Sequence, residues 1–134
     1  MGRSRGNRKP KIKNSIDKLN GWVYIMKIWL DGIVVYKVGT TNRQQVEARM
    51  LEIAGEILGS YGEIPRMKLV KAARVVDNYG VEAKILDRTS KYRYYPKCEF
   101  GSCSELRDMG EKELVSELAR CSSDDRYETS FVGI

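Results

Sequence analysis

The chain has 134 residues, with 24 basic and 18 acidic side chains and a formal net charge of +6. This length is sufficient for one domain with a single hydrophobic core. The absence of histidine excludes mechanisms that need an imidazole, including Ser-His-Asp and Cys-His nucleophile pairs. The three cysteines, without histidine, are too few for a four-ligand zinc site, so we expect reduced structural thiols.

Basic charge is concentrated at the N-terminus. Seven of the 24 basic residues and one of the 18 acidic residues lie in residues 1–20, which leaves 17 of each in residues 21–134. Residues 1–20 are predicted to form a disordered basic arm that binds a polyanion, most often nucleic acid, by counterion release. A solubilising terminus without a partner is the alternative. The candidate nucleic-acid-binding residues of the arm are Arg3, Arg5, Arg8, Lys9, Lys11 and Lys13.

We expect neither a secretory signal nor a membrane span. The first twenty residues contain no continuous apolar core, and charged side chains interrupt the apolar stretch that follows them. The expected location is therefore the cytoplasm.

The stretch from Gly21 to Gly39 predicts a β-hairpin. Two apolar runs flank Asp31-Gly32, the strongest short-range signal for a two-residue type I′ turn. With that turn, Leu30 lies opposite Ile33, and the first and last residues of the hairpin come close together.

The hairpin register places two polar side chains side by side. Met26 faces Lys37 and Tyr24 faces Gly39, so Tyr24 and Lys37 emerge on one face of the sheet as diagonal neighbours. Tyr36 points to the opposite face. A phenol beside an ammonium is unusual for stability alone, and it makes this pair the first candidate for a functional site.

Apolar spacing beyond the hairpin predicts three helices and one more strand. The predicted bounds are a first helix from Thr41 or Asn42 to about Leu58 with Gly59 as its stop, a strand over Met67–Val76, a second helix from Asp77 or Asn78, and a third over about Met109–Ala119. The predicted fold is α/β, with a small three-stranded mixed sheet, made of the hairpin and the third strand, flanked by helices. The folded domain is expected over residues 21–121, followed by a loose tail over residues 122–134.

Gly21-Trp-Val-Tyr24-Ile, followed by Tyr36-Lys37-Val38-Gly39, resembles the two motifs that name the GIY-YIG nucleases. The likeness is closer to the phage-type branch, whose second motif reads Lys-Ile-Gly followed by Thr. When the glycines are aligned, Lys37 takes the place of the second motif's tyrosine, and Tyr36 comes one residue early.

Three later stretches extend the resemblance in order, to about residue 107. They are Glu47-Ala-Arg49-Met-Leu51, similar to the family's Arg-bearing helix, Val81-Glu82-Ala-Lys-Ile-Leu86, similar to its Glu-bearing helix, and Phe100-Gly-Ser-Cys-Ser-Glu105-Leu, similar to its closing stretch. The resemblance implies a GIY-YIG-like fold and a source in a phage or other mobile element, hence the cytoplasm of a bacterial host cell.

The resemblance implies a metal-dependent endonuclease that hydrolyses phosphodiester bonds, with double-stranded DNA the favoured substrate and Mg²⁺ or Mn²⁺ as cofactor. Tyr24 would activate water, with Lys37 as the cation that favours its phenolate. Arg49 would stabilise charge on the phosphoryl group, because its forked donors match that group. Glu82 would bind the metal through a carboxylate oxygen.

Each of these residues also has a purely structural interpretation. Tyr24 could be a core tyrosine, and the three charged residues could lie on solvated strand or helix surfaces. The alternative or supporting site residues are Tyr36, Glu105 and Arg43. Arg43 is better placed for a nucleic-acid-binding contact with a backbone phosphate than for catalysis. Arg93 lies among Tyr92, Tyr94 and Tyr95, in a segment that either contacts nucleic acid or forms a buried aromatic cluster.

Two other functions stay open from the sequence. The first is a catalytically silent nucleic-acid-binding module or inhibitor with the same fold, and the second is a small interaction protein without a nucleic-acid ligand. The sequence does not determine the oligomeric state or the target.

Overall fold

The computed structural model describes residues 21–42, 45–123 and 130–133. A β-hairpin comes first, and helices and strands then alternate. In chain order they are β1 (Gly21–Leu30), β2 (Ile33–Thr41), α1 (Val46–Tyr61), β3 (Arg66–Val75), α2 (Asn78–Arg88), β4 (Leu106–Arg107), α3 (Glu111–Ser123) and β5 (Ser130–Gly133). The six predicted basic residues of the arm and Arg43 lie outside the described residues.

The hairpin has the predicted turn and register. Asp31 and Gly32 both have positive φ angles, 55° and 78°, as a type I′ turn requires. Tyr24 pairs with Gly39 and Met26 with Lys37. The prediction that Tyr24 and Lys37 share one face is confirmed.

The predicted three-stranded mixed sheet is wrong. The sheet has five strands in the order β4-β2-β1-β3-β5, and every neighbouring pair is antiparallel. The helical crossover through α1 carries the chain past β1, so β3 runs parallel to β2 but pairs with β1 on its other side. Because β1 separates the two parallel strands, no parallel ladder forms.

Apolar side chains cover both faces of the sheet, as the alternation of side chains along the strands requires. On one face, here called the α1 face, the core contains Tyr24, Met26, Ile28, Val35, Ile53 and Ile57. On the other, here called the α2/α3 face, it contains Val23, Ile25, Tyr36, Val38, Ile85 and Leu118. The sheet therefore forms the middle of three layers.

The bounds of β3 and the start of α2 agree with the sequence to within one residue. The Asp77 side chain accepts a hydrogen bond from the Gly80 backbone N–H at 3.0 Å and caps α2. The helix α1 differs from the prediction at both ends, since its N-cap is Gln45 and its C-cap is Gly62. Gly62 is the residue in the left-handed conformation, with φ of 80°, so it rather than Gly59 ends the helix.

Two described parts of the predicted loose tail over residues 122–134 have regular secondary structure. The helix α3 continues to Ser123, and β5 pairs with β3 along Lys71–Arg74. Short edge strands of this kind lack the extended periodicity that reveals a strand in a sequence.

Asp31 connects the hairpin turn to the rest of the α1 face through hydrogen bonds. Its carboxylate accepts hydrogen bonds from the Tyr61 hydroxyl at 2.9 Å, the Tyr94 hydroxyl at 2.6 Å and the Lys97 backbone N–H at 3.0 Å. The turn residue therefore holds the end of α1 and the segment before β4 in place.

Candidate active site

Tyr24 and Lys37 form a buried polar pair on the α1 face. Neither residue has solvent-exposed surface, and Lys37 Nζ donates a hydrogen bond to the Tyr24 hydroxyl oxygen at 3.3 Å. A buried ammonium needs compensating partners, because removing its charge from water is costly. The pair therefore depends on what surrounds it.

Gly39 makes room for this pair. A Cβ atom at that position would lie against the Tyr24 hydroxyl and 2.7 Å from Lys37 Nζ. Any side chain at Gly39 would thus displace the two polar groups. Gly39 is therefore needed because the Tyr24 and Lys37 side chains come close to its Cα atom, and not because it lies in a turn.

The pKa of Tyr24 is higher than that of a free phenol. Burial raises it, and the positive charges of Lys37 and Arg49 offset that effect only in part. Lys37 favours the phenolate, as expected, but the effect of burial on the Tyr24 pKa is larger. Tyr24 therefore keeps its proton at neutral pH.

Glu105 neutralises Lys37. It ends a short 3-10 turn, Cys103–Glu105, directly before β4, and β4 pairs Leu106 with Lys37. The Glu105 carboxylate and Lys37 Nζ form a hydrogen-bonded ion pair. Glu105, an alternative residue in the sequence analysis, is thus a direct partner of the proposed catalytic pair.

Arg107 anchors the strand that follows Glu105, and sequence reasoning missed it. It is buried, and its guanidinium donates to the Thr89 hydroxyl at 3.0 Å, the Ser104 carbonyl at 2.9 Å and the Leu86 carbonyl at 3.2 Å. These bonds tie β4 to the end of α2. An isolated arginine in a short polar stretch carries no sequence signal of burial.

Glu82 lies in the second turn of α2, partly buried, and reaches the same group of side chains. Burial, the negative charge of Glu105 and a hydrogen bond with Glu105 raise the pKa of Glu82 to about 7. Lys37 and Arg49 act in the opposite direction but do not cancel the shift. A carboxyl group with this pKa is half protonated near neutral pH.

Arg49 completes the group from α1. Its guanidinium interacts with the Tyr24 hydroxyl and donates to Glu52 at 2.9 Å and to Glu56 at 3.5 Å. The structure therefore brings Tyr24 and the three charged residues predicted for the site to one place.

Glu56 links Arg49 to the segment that leads to Glu105. Besides its contact with Arg49, its carboxylate accepts hydrogen bonds from the Ser102 hydroxyl at 2.9 Å and the Ser102 backbone N–H at 3.3 Å. No motif in the sequence marks Glu56 as a site residue. It lies seven residues after Arg49, so the two share one face of α1, but helical spacing alone does not reveal its partners.

The two carboxylates fit a divalent cation of the Mg²⁺ type. Mg²⁺ is usually held by one or two carboxylates together with water and substrate phosphate oxygens. Glu82 and Glu105 lie in contact, and a cation would relieve their repulsion. Since Glu105 is already paired with Lys37, Glu82 is the more available ligand. Across residues 21–42 and 45–123, no three His, Cys, Asp or Glu side chains converge as a metal-binding group.

The other predicted residues lie outside this group. Tyr36 is on the α2/α3 face, where its hydroxyl donates to Glu111 at 3.0 Å. Arg93 is exposed, and its guanidinium carbon lies 4.5 Å from the centre of the Tyr95 ring. Its β-bridge to Arg107 places it at the edge of the sheet beyond β4.

The aromatic segment around Arg93 is partly exposed. Tyr95 has 69% and Tyr92 has 38% of its surface exposed, whereas Tyr94 is partly buried and bonded to Asp31. The segment is thus a mixed one, in which two rings face solvent and one belongs to the core. None of the helices in the described part of the chain is long and apolar enough to cross a membrane.

Comparisons with known proteins identify a family. No curated protein and no solved structure matches the chain significantly. A domain family does match, over residues 21–124, which is about three quarters of the chain and includes every residue of the candidate site. It is found in endonuclease-like proteins of phages and mobile elements. The chain belongs to the T5orf172 domain family.

Proposed function

We propose that this protein is a metal-dependent endonuclease that hydrolyses phosphodiester bonds, with DNA as its substrate. The observation that carries the proposal is the convergence of Tyr24, Lys37, Arg49 and Glu82 at one end of the sheet. Phosphodiester hydrolysis needs an oriented water molecule, positive charge against the phosphoryl oxygens and help for the leaving oxygen. The converging side chains supply groups suited to the first two needs.

Each residue has a distinct role in the proposed mechanism. The Tyr24 hydroxyl orients the attacking water, and Lys37 fixes the position of that hydroxyl through its hydrogen bond. Arg49 binds the phosphate and stabilises the charge that develops on it. Glu105 holds Lys37 in place by their ion pair, which makes it a positioning residue.

Glu82 is proposed to hold Mg²⁺ or Mn²⁺ through its carboxylate. When bound, a divalent cation supplies Lewis-acid stabilisation of phosphoryl charge and lowers the pKa of nearby water. It would also lower the pKa of Glu82, because the carboxylate is the form that binds a cation. The order of motifs further supports placing the chain among GIY-YIG nucleases of the phage type.

The proposal is tested with supercoiled plasmid DNA and Mg²⁺. We expect nicking or linearisation by the wild-type protein, and a loss of at least about a hundredfold in Tyr24→Phe and Glu82→Ala. Tyr36→Phe is the matched control, because it removes the same hydroxyl from the opposite face of the same hairpin. Cleavage that persists in both Tyr24→Phe and Glu82→Ala would refute the site assignment.

A second function fits one observation in particular. Burial keeps Tyr24 protonated, and the ion pair with Glu105 compensates the charge of Lys37, an arrangement that is also stable without turnover. The protein would then be a catalytically silent nucleic-acid-binding module. Retained DNA binding with no cleavage of DNA or RNA, in Mg²⁺ or Mn²⁺, would favour this alternative.

A further inference from the structure

A cluster of basic side chains surrounds Trp29 near the turn end of the hairpin. In the sheet register Arg66 lies opposite Trp29, and Lys68 lies opposite Lys27. Arg66 Cζ is 4.1 Å from the centre of the Trp29 ring and Lys27 Nζ is 5.1 Å from it. We call these four residues, Lys27, Trp29, Arg66 and Lys68, the sheet patch.

The sheet patch lies on the α2/α3 face and borders the apolar core of that face. Tyr36, a member of that core, lies opposite Lys27, and Val34, which packs against the core, lies opposite Trp29. Arg66 and Lys68 are exposed. Within the described part of the chain, β5 pairs only with Lys71–Arg74, so the Arg66–Leu69 half of β3 has no neighbouring strand on its outer side. Because the Arg66 and Lys68 side chains are exposed, a ligand can approach the patch from its β3 side.

The chemistry of the patch favours a phosphate backbone. Three cations converge, and Glu111, the acidic side chain that Lys27 meets, is 3.8 Å from Lys27 Nζ in a partly exposed, weak ion pair. The Arg66 guanidinium is stacked on the Trp29 indole ring. Stacking preorganises the guanidinium and leaves its N–H edge available to phosphate oxygens. Unlike a set of scattered surface lysines, this arrangement is organised by cross-strand pairing.

We infer that the sheet patch binds the phosphate backbone of duplex DNA. The patch is on the face of the sheet opposite Tyr24 and Lys37, so it forms a second contact, separate from the proposed cleavage site. The inference takes its ligand class, DNA, from the proposed function and makes the sheet, and not only the N-terminal arm, a DNA-binding surface.

The test measures DNA binding without cleavage. The full chain is titrated into a fluorescently labelled DNA duplex in EDTA, and anisotropy is read between about 50 and 200 mM salt. In the double variant Arg66→Ala/Lys68→Ala, affinity should fall at least about fivefold, and the slope of log K against log salt should become shallower by about 1.8, the value for two phosphate contacts. The control Lys84→Ala/Arg120→Ala removes the same charge from exposed helix positions and should change affinity less than about twofold.

Equal loss of affinity and of salt slope in the patch variant and the control would overturn the inference. Arg66→Lys keeps the positive charge but removes the stacked guanidinium. An unchanged slope of log K against log salt together with weaker binding would support the role of the stacked guanidinium. Thermal melts of every variant exclude unfolding as the cause. The binding titration contains no metal ion, so its result does not depend on cleavage. A failure to cleave plasmid DNA would refute the proposed nuclease activity but would leave the result for the sheet patch unaffected.

Discussion

Lys37, a lysine with no exposed surface, is neutralised by the Glu105 carboxylate, which is held beside it by the two-residue strand β4. Breaking such a pair is costlier than replacing it, because an uncompensated charge is left in the interior. We expect Glu105→Gln to lower the free energy of unfolding by about 3 kcal/mol. In urea denaturation, the double variant Lys37→Met/Glu105→Gln should recover most of that loss. A loss of unfolding free energy equal to the sum of those of Lys37→Met and Glu105→Gln alone would contradict the coupling.

The pKa of Glu82 makes stability depend on pH. Its value of about 7 in the folded protein exceeds the ordinary value of 4.5, so between these pH values the folded state holds more protons than the unfolded state. The free energy of unfolding should therefore fall as pH rises from about 4.5 to 7. Glu82→Gln should flatten this decline in metal-free buffer, and an unchanged pH profile in the variant would refute the assignment.

The affinity for a metal ion should also depend on the protonation of Glu82, but it should increase with pH, whereas the free energy of unfolding decreases. A cation binds the carboxylate form, so Mn²⁺ affinity should rise as pH increases from 6 towards 8, as Glu82 loses its proton at about 7. Isothermal titration of the protein with Mn²⁺ at several pH values measures this, and Glu82→Gln serves as the control. A pH-independent affinity would indicate that another group holds the metal.

Gly39→Ala tests the close approach of the polar pair. The new methyl group would meet the Tyr24 hydroxyl and Lys37 Nζ, so we expect a stability loss of about 1–3 kcal/mol and loss of DNA cleavage. Gly55→Ala is the matched control, because its position in α1 is open and alanine should stabilise the helix by about 1 kcal/mol. Equal effects of the two substitutions on cleavage would show that Gly39 has no special role.

Glu56→Gln tests the link between Arg49 and the Ser102 segment. The amide still accepts a hydrogen bond from Ser102 but no longer attracts the guanidinium by charge. We expect cleavage at saturating DNA to fall about tenfold with little change in the free energy of unfolding. Ser102→Ala should have a smaller effect, and a purely structural role for Glu56 would instead appear as a lower unfolding midpoint with cleavage unchanged.

Deletion of residues 1–18 tests the predicted basic arm. The deletion removes seven positive charges and should weaken binding to duplex DNA and flatten its salt dependence. Circular dichroism should show an unchanged fold, because the match to the domain family begins at Gly21. An unchanged salt slope would assign the electrostatic contribution to the folded domain alone.

The sequence was sufficient for the hairpin and for the pair it carries. Asp31-Gly32 defines a turn with one register, and side-chain alternation then places Tyr24 beside Lys37. Both are local consequences of a strong turn signal. The start of α2, predicted at Asp77 or Asn78, also agrees with the structure, in which α2 begins at Asn78.

Features that depend on distant contacts were not accessible from the sequence. Nothing local determines whether β3 pairs with β1 or β2, and this choice decides between an antiparallel and a mixed sheet. The ion pair of Glu105 and the burial of Arg107 depend on β4, which is too short for any periodic signal. The net upward shift of the Tyr24 pKa likewise depends on how completely the folded chain excludes water.

The hairpin turn restricts which residues position 31 can accept. Asp31 has a φ of 55°, a conformation that glycine, asparagine and aspartate tolerate best. Glycine would provide no acceptor for Tyr61, Tyr94 and Lys97, and the single amide oxygen of asparagine has two lone pairs for three donors. Both the turn geometry and the three long-range hydrogen bonds therefore favour aspartate at position 31. Replacing Asp31-Gly32 with Asn-Gly, a sequence equally suited to the turn, would weaken the attachment of the loop that leads to Glu105.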